Sequence, residues 1–133
     1  MKTILVDAVY TFIVEDEEGA FKIFEPMYEM LEGFPDKKII LTNADHYKFQ
    51  KYALDKTPYE VFTLEHNPEK TNPEYFRILL KKYELKPKDV IYFEHDKEAV
   101  KSAKLVGIKT YYYDSETKNI GNLKDFLDSS IID

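Results

Sequence analysis

Short apolar runs alternate with amphipathic segments along almost the whole chain, and this alternation limits the possible folds more than any other feature. The clearest runs are Ile4–Asp7, Lys38–Thr42 and Val90–Glu94, each typical of a buried strand that ends in a polar residue. Apolar residues at helical spacing lie between them. Because strands that alternate with helices form parallel sheets with right-handed crossovers, the sequence predicts an α/β fold.

The other segments complete the prediction of a doubly wound, Rossmann-like parallel sheet of about five strands. Two further strands are predicted at Val61–Thr63 and Ile108–Tyr113. Two apolar runs around the acidic turn Asp16–Gly19 predict a small β-hairpin flap after the first strand. Helices are predicted from Pro26, over Ala44–Leu54, from Asn72, over Lys97–Val106 and over Leu123–Leu127.

Length, composition and net charge limit the number of domains, the partners and the cellular location that we expect. The chain has 133 residues, of which 44% are hydrophobic, and we expect one domain over residues 1–133. A net charge of −6 disfavours a nucleic-acid backbone or an anionic membrane as partner. Without cysteine there are no disulfides or thiolate sites. The apolar N-terminus contains Asp7 and lacks a cleavage site, so we expect a cytoplasmic protein rather than a secreted one.

Polar side chains follow the predicted strands where each strand ends. They are Asp7, then Thr42 with Asn43, and then Glu94 followed by His95 and Asp96; Lys70 lies in a loop before the third helix. In doubly wound sheets, ligands bind outside the carboxyl ends of the strands. The sequence therefore predicts a site with an acid, a hydroxyl, an amide, a lysine and a second acidic group.

Four motifs, taken in order, resemble those of the haloacid dehalogenase superfamily, whose members are mostly magnesium-dependent phosphatases. The resemblance covers essentially the whole chain and implies the same fold. Because the segment between the first two motifs is short, it also implies a member without a cap domain. The matching residues are Asp7 and Thr11 for the first motif, Thr42-Asn43 for the second, Lys70 with Pro73, Glu74 and Phe76 for the third, and Phe93-Glu94 for the fourth.

The resemblance implies a role for each matching residue. Asp7 would be the nucleophile that accepts a phosphoryl group. Thr42 would donate its hydroxyl, Asn43 would orient groups near the transferred oxygens, and Lys70 would neutralise phosphate charge. Mg²⁺ would be held by Asp7, the backbone carbonyl of Val9 and Glu94.

Three departures from the superfamily pattern affect these expectations. Val9 replaces the aspartate that acts as general acid and base, a loss that typically lowers the rate by about 10²–10⁴. Tyr10 replaces a glycine. His95 stands where a metal-binding aspartate is expected, and imidazole suits zinc, manganese or iron better than magnesium. We expect His95 to be a strand-end or surface histidine without partners, and the metal could be magnesium, another divalent ion or none.

The residues leave three functions open. The first is hydrolysis of a phosphate ester through an aspartyl-phosphate on Asp7, slowed by Val9, with a small phosphorylated molecule or a phosphorylated macromolecule as substrate. The second is an inactive binding or regulatory module with the same fold. The third is metal-free carbon–halogen hydrolysis, which in the superfamily needs a cap and an arginine; Arg77 is the only arginine and lies on a predicted helix. An uncapped site is also compatible with an oligomer.

Overall fold

The computed structural model describes residues 1–132, which form seven strands and four α-helices. The strands are β1 (Thr3–Asp7), β2 (Ile13–Glu15), β3 (Phe21–Ile23), β4 (Lys37–Thr42), β5 (Glu60–Thr63), β6 (Val90–Glu94) and β7 (Lys109–Tyr112). The helices are α1 (Glu25–Glu32), α2 (Glu74–Lys82), α3 (Lys97–Leu105) and α4 (Ile120–Ile131).

Five parallel strands form one sheet in the order β5-β4-β1-β6-β7. The chain builds one half outward from β1 through β4 to β5, and then crosses to build β6 and β7 on the other side. The carboxyl ends of the three central strands are level, because Asp7 lies opposite Leu41 and Val6 opposite Phe93. This is the predicted doubly wound sheet, and the point where strand order reverses lies at β1.

Helices cover both faces of the sheet. Helices α1 and α4 pack on one face, where they bury Met27, Leu31 and Leu127 against Ile4 and Val6. Helices α2 and α3 pack on the other, where the buried residues include Phe76, Leu79, Ala103 and, from β1, Leu5. Since neighbouring side chains of a strand point to opposite faces, a strand covered on both sides is continuously apolar. This explains the unbroken run at the start of the sequence.

The predicted hairpin is formed by β2 and β3, which pair antiparallel with Ile13 opposite Ile23. The Asp16 side chain accepts hydrogen bonds from the backbone N–H groups of Glu18 and Ala20 and so closes the turn. Gly19 has a φ of 84°, which glycine adopts without steric cost. Between β1 and β4 the described chain contains this hairpin and α1.

The helix predicted over Ala44–Leu54 is wrong. The segment contains two short 3₁₀-helices, His46–Lys48 and Leu54–Lys56, joined by turns. Ala53 has a φ of 56°, in the left-handed region, and a residue in that conformation ends a right-handed helix. Asp45 caps the first 3₁₀-helix by accepting a hydrogen bond from the backbone N–H of Lys48.

The last helix is longer than predicted. It spans Ile120–Ile131, because Asn119 caps it by accepting a hydrogen bond from the N–H of Asn122 at 2.9 Å. Over residues 1–132, none of the helices has the length and apolar character that crossing a membrane requires.

Candidate active site

Two carboxylates lie side by side at the centre of the sheet. Asp7 ends β1 on the same face as Leu5, and Glu94 ends β6 on the same face as Tyr92, because side chains alternate along a strand. Asp7 is 1% exposed and Glu94 is fully buried. Two buried like charges this close destabilise one another, so the site needs counter-charges from elsewhere in the chain.

Lys70 supplies the first counter-charge. Its Nζ lies 2.6 Å from Oδ1 of Asp7 and 2.8 Å from Oε1 of Glu94. The loop that carries it is fixed at two points: the N–H of Lys70 donates to Oδ1 of Asn43 at 2.8 Å, and the Ser102 hydroxyl donates to the carbonyl of Thr71. Burial alone would lower the pKa of Lys70, but the charges of Asp7 and Glu94 raise it above its ordinary value.

His95 supplies the second counter-charge. Its Nδ1 lies 2.5 Å from Oδ2 of Asp7 and 3.3 Å from Oε2 of Glu94, and its side chain is 28% exposed. Partial burial alone would lower the pKa of His95, but the hydrogen bonds to both carboxylates, together with their charges, raise it to about 10. The expectation that His95 has no partners is therefore wrong.

The turn after β6 explains why His95 reaches Asp7. The N–H groups of His95 and Asp96 both donate to Oε2 of Glu94 at 3.0 Å. This bends the chain over the strand end and returns the imidazole ring to the neighbouring strand. The sequence shows no signal for this bend, because it depends on the buried position of the Glu94 carboxylate.

The two oxygens of Asp7 have different surroundings. Oδ2 accepts hydrogen bonds from the Thr11 hydroxyl at 2.6 Å and from His95, whereas among the described residues Oδ1 accepts one from Lys70. Burial would raise the pKa of Asp7, but the Lys70 charge and the His95 hydrogen bond outweigh it and lower the pKa far below its usual value. Asp7 is therefore ionised, and Oδ1 keeps a free lone pair.

The pKa of Glu94 is shifted in the opposite direction to that of Asp7. Burial and the charge of Asp7 raise its pKa, against the charge of Lys70. Both oxygens of Glu94 nevertheless have donors: Oε1 accepts from Lys70 and from the Tyr92 hydroxyl, and Oε2 from the two N–H groups of the following turn.

The residues of the second motif line the cavity and shape the loop after β4. The Thr42 hydroxyl accepts a hydrogen bond from the N–H of Ala44 at 3.1 Å, and the Thr42 carbonyl accepts one from the Tyr75 hydroxyl. Asn43 holds the Lys70 loop. Direct contact of either residue with a substrate stays a prediction.

A cavity of ≈ 390 Å³ opens over the cluster. The predicted residues Asp7, Val9, Thr42, Asn43, Lys70 and Glu94 all line it, together with Tyr10, Ala44, Lys48, Tyr52, His66, His95 and Asp96. The 3₁₀ segment after β4 contributes Lys48 and Tyr52, which sequence reasoning missed because no motif marks them. A larger groove of ≈ 1020 Å³ runs along the hairpin and contains none of the four charged residues of the cluster.

Tyr10 has the backbone conformation that a glycine would adopt there. Its φ is 69°, and its N–H donates to the carbonyl of Ile13 at 2.7 Å in the turn that leads into the hairpin. Its ring contacts the rings of Phe21 and His95 edge-on, at centroid distances of 6.2 and 5.9 Å. Tyr10 therefore makes these ring contacts from a left-handed backbone conformation, which is unfavourable for residues other than glycine.

Arg77 lies away from the cavity. It is exposed on α2 and pairs with Oε2 of Glu74 at 3.2 Å. The arginine that carbon–halogen hydrolysis needs is therefore not supplied by this residue.

Asp7, Glu94 and His95 are the described residues that could together hold a metal ion, since one ligand atom of each lies within 4.8 Å of the others. Their present arrangement does not fit Mg²⁺. The ligand atoms are hydrogen-bonded to one another and to Lys70, and an imidazole nitrogen is a poor magnesium ligand.

The sheet order, with the buried carboxylate of Asp7 at the point where that order reverses, defines an α/β protein whose candidate site lies at the strand ends. The architecture is that of the haloacid dehalogenase superfamily, as the sequence motifs predict. No family model matches the sequence, and no curated protein matches it either.

Solved structures show the likeness in fold. A HAD-superfamily hydrolase from Ehrlichia chaffeensis has a TM-score of 0.65 at 12% identity, covering 98% of this chain and 99% of that chain. A HAD family enzyme from Bacteroides thetaiotaomicron, in complex with magnesium and inorganic phosphate, has a TM-score of 0.66 at 14% identity, covering 84% and 93%. A HAD-superfamily hydrolase of subfamily IA from Geobacter sulfurreducens has a TM-score of 0.64 at 13% identity, covering 85% and 87%.

Proposed function

We propose that the protein hydrolyses a phosphate ester through a phosphoryl intermediate on Asp7. The observation that carries this proposal is the position of Asp7: an ionised carboxylate at the end of the central strand, 2.6 Å from a buried lysine and facing a cavity. A structural neighbour was solved in complex with magnesium and inorganic phosphate, which supports a phosphate-containing ligand for this chain.

In the first step, Oδ1 of Asp7 attacks phosphorus and the bond between phosphorus and the ester oxygen breaks. The leaving group departs with the electron pair of that bond. In the second step, water attacks phosphorus, the acyl-phosphate bond breaks with its electron pair returning to the Asp7 carboxylate, and inorganic phosphate leaves with both protons of the water. Both steps place negative charge beside Lys70, whose contact with Oδ1 opposes the repulsion between carboxylate and phosphate.

The missing acid at Val9 determines which esters react well. An alkoxide leaving group needs a proton as the ester bond breaks, and the valine side chain has none to give. A phenolate with electron-withdrawing substituents leaves without one. We therefore expect aryl phosphates to react faster than alkyl phosphates, and a cavity of ≈ 390 Å³ favours a small phosphorylated molecule.

Turnover of a nitrophenyl phosphate by purified protein tests the proposal. We expect slow release of nitrophenolate that Asp7→Asn abolishes, with a loss of about 10³ or more because the amide is not a nucleophile. Asp96→Asn, which removes a cavity-lining carboxylate that caps α3, is the matched control and should keep most of the activity.

Mass spectrometry of rapidly quenched protein checks the intermediate, since phosphorylation should map to Asp7. If the wild type shows neither turnover nor a labelled Asp7, the alternative applies, in which the same fold binds a phosphorylated ligand without reaction. The observation that favours this alternative is the absence of a carboxylate at Val9.

A further inference from the structure

The carboxylate oxygens at the centre of the site all have donors from the protein itself. Oδ1 of Asp7 accepts from Lys70, and Oδ2 accepts from Thr11 and His95. Both oxygens of Glu94 are likewise engaged, by Lys70, Tyr92 and the turn after β6. A cation could use Oδ2 of Asp7 or either oxygen of Glu94 as a ligand only by displacing donors that are part of the fold.

The distance between His95 and Asp7 indicates a shared proton rather than a shared metal ion. Two ligand atoms at right angles around Mg²⁺, each about 2.1 Å from the ion, are roughly 3 Å apart. Nδ1 of His95 and Oδ2 of Asp7 are 2.5 Å apart, which is shorter than an ordinary N–H···O hydrogen bond, and two lone-pair atoms come this close only with a hydrogen between them. The nitrogen that faces Asp7 therefore carries a hydrogen and has no lone pair to offer a metal.

The charges of the cluster balance without an added ion. Asp7 and Glu94 provide two acidic groups, and Lys70 and His95 provide two basic groups in direct contact with them. The basic groups approach Asp7 through different oxygens, Lys70 at Oδ1 and His95 at Oδ2.

We propose that His95 takes the place of the divalent cation beside Asp7, so that the site binds its anionic ligand without a metal. The imidazole N–H fixes Oδ2 of Asp7 and leaves Oδ1 for chemistry. This inference concerns the charge at the site and holds whether or not the protein turns over a phosphate ester.

Metal binding by the full-length wild-type protein is the first test. Mg²⁺ and Mn²⁺ are titrated separately by calorimetry, and Mn²⁺ is also titrated against ¹⁵N-labelled protein. We expect no saturable heat at millimolar concentrations, and no selective paramagnetic broadening of amide signals around Asp7 and Glu94.

His95→Asp is the second test, because it replaces the imidazole with a carboxylate that suits Mg²⁺. We expect it to gain Mg²⁺ and Mn²⁺ binding at least about tenfold tighter than the wild type, with broadening centred on Asp7. His46→Asp makes the same change at an exposed histidine outside the cavity and should behave as the wild type. His95→Asn serves if His95→Asp does not fold, since its side-chain oxygen is also a hard ligand.

Saturable Mg²⁺ or Mn²⁺ binding by the wild type, with broadening around Asp7 that His95→Asp leaves unchanged, would overturn the inference. Failure of the proposed hydrolysis would be seen differently, as an absence of turnover and of Asp7 labelling while the metal titrations still distinguish wild type from variant.

Discussion

Lys70 is the residue on which the stability of the site depends most. It is a buried ammonium between two buried carboxylates. The desolvation of a buried ion pair can cancel its attraction, but removing one partner leaves an uncompensated charge in the interior. We therefore expect the charged groups of the site to matter for the stability of the fold as well as for the proposed reaction.

Lys70→Met should destabilise the protein by about 3–5 kcal/mol, because Asp7 and Glu94 then repel each other with one remaining counter-charge. The midpoint of urea unfolding measures this. Lys101→Met removes a lysine that is 75% exposed on α3 and should change stability by less than about 0.5 kcal/mol. Adding Asp7→Asn to Lys70→Met should recover part of the loss; a double variant less stable than either single one would contradict the account.

The stabilising effect of His95 should depend on pH. Its pKa is raised from 6.5 to about 10 in the folded state, so its contribution is fully present below pH 6.5 and is lost as the pH rises through 10. The difference in unfolding free energy between the wild type and His95→Gln should therefore shrink between pH 6.5 and 10. Raised tyrosine pKa values affect both proteins equally and cancel. A difference that is constant or grows over this range would show that the imidazole is not charged beside Asp7.

Most residues of the candidate site could be predicted because they come directly after a predicted strand. Asp7, Thr42 and Glu94 follow apolar runs directly, so a parallel sheet brings them to one edge. Lys70 is not next to a strand, and only its position relative to the following motif residues indicated it. His95 was predicted without partners because its ring is turned inward by backbone hydrogen bonds to a buried carboxylate, and no residue pattern encodes that turn.

Among the connecting elements, the turn at Tyr10 combines backbone strain with side-chain contacts. A φ of 69° places a bulky residue in the left-handed region, which costs roughly 1–2 kcal/mol relative to a glycine. The ring contacts with Phe21 and His95 offset part of that cost.

Substitution at Tyr10 can separate the two effects. Tyr10→Ala loses the ring and keeps the strain, whereas Tyr10→Gly loses the ring and relieves it, so the glycine variant should be the more stable of the two by about 1 kcal/mol. Chemical denaturation of both variants measures this difference. If the alanine variant were equally stable or more so, the turn would have to relax out of the left-handed region.

The segment after β4 shows that helical spacing of apolar residues does not by itself ensure a helix. Residues 44–54 have aromatic and aliphatic side chains at spacings that suit a helix, yet Asp45 caps a single 3₁₀ turn and Ala53 takes a left-handed conformation. Packing of Phe49, Tyr52 and Leu54 against the core selects this path. The three central strands, β4, β1 and β6, by contrast, were located within a few residues because each is an apolar run buried on both faces.

At the scale of the whole molecule, α4, at the end of the described chain, shares a buried core with β1 at its beginning. Leu123 and Leu127 are fully buried in the core that α4 shares with α1 and β1. The layer on this face of the sheet therefore forms only when distant parts of the sequence meet.

Leu127→Ala should lower the free energy of unfolding by about 2–5 kcal/mol through lost burial and the cavity left behind. Leu105→Ala, at a leucine that is 74% exposed on α3, is the control and should have an effect of less than about 0.5 kcal/mol. Circular dichroism and tyrosine fluorescence should report one coincident transition in each protein. Separate transitions in Leu127→Ala would mean that α4 unfolds independently of the sheet.

The balanced charges around Asp7 also restrict how the sequence can diverge. Loss of Asp7, Glu94 or Lys70 leaves an excess charge in the interior, and about 3–5 kcal/mol is a large share of the 5–15 kcal/mol that typically keeps a domain folded. Neutral drift must therefore replace opposite charges together or pass through poorly folded intermediates. A lineage that no longer needed the chemistry would still inherit Asp7 with Lys70 for folding alone, and descendants that lose one should lose both.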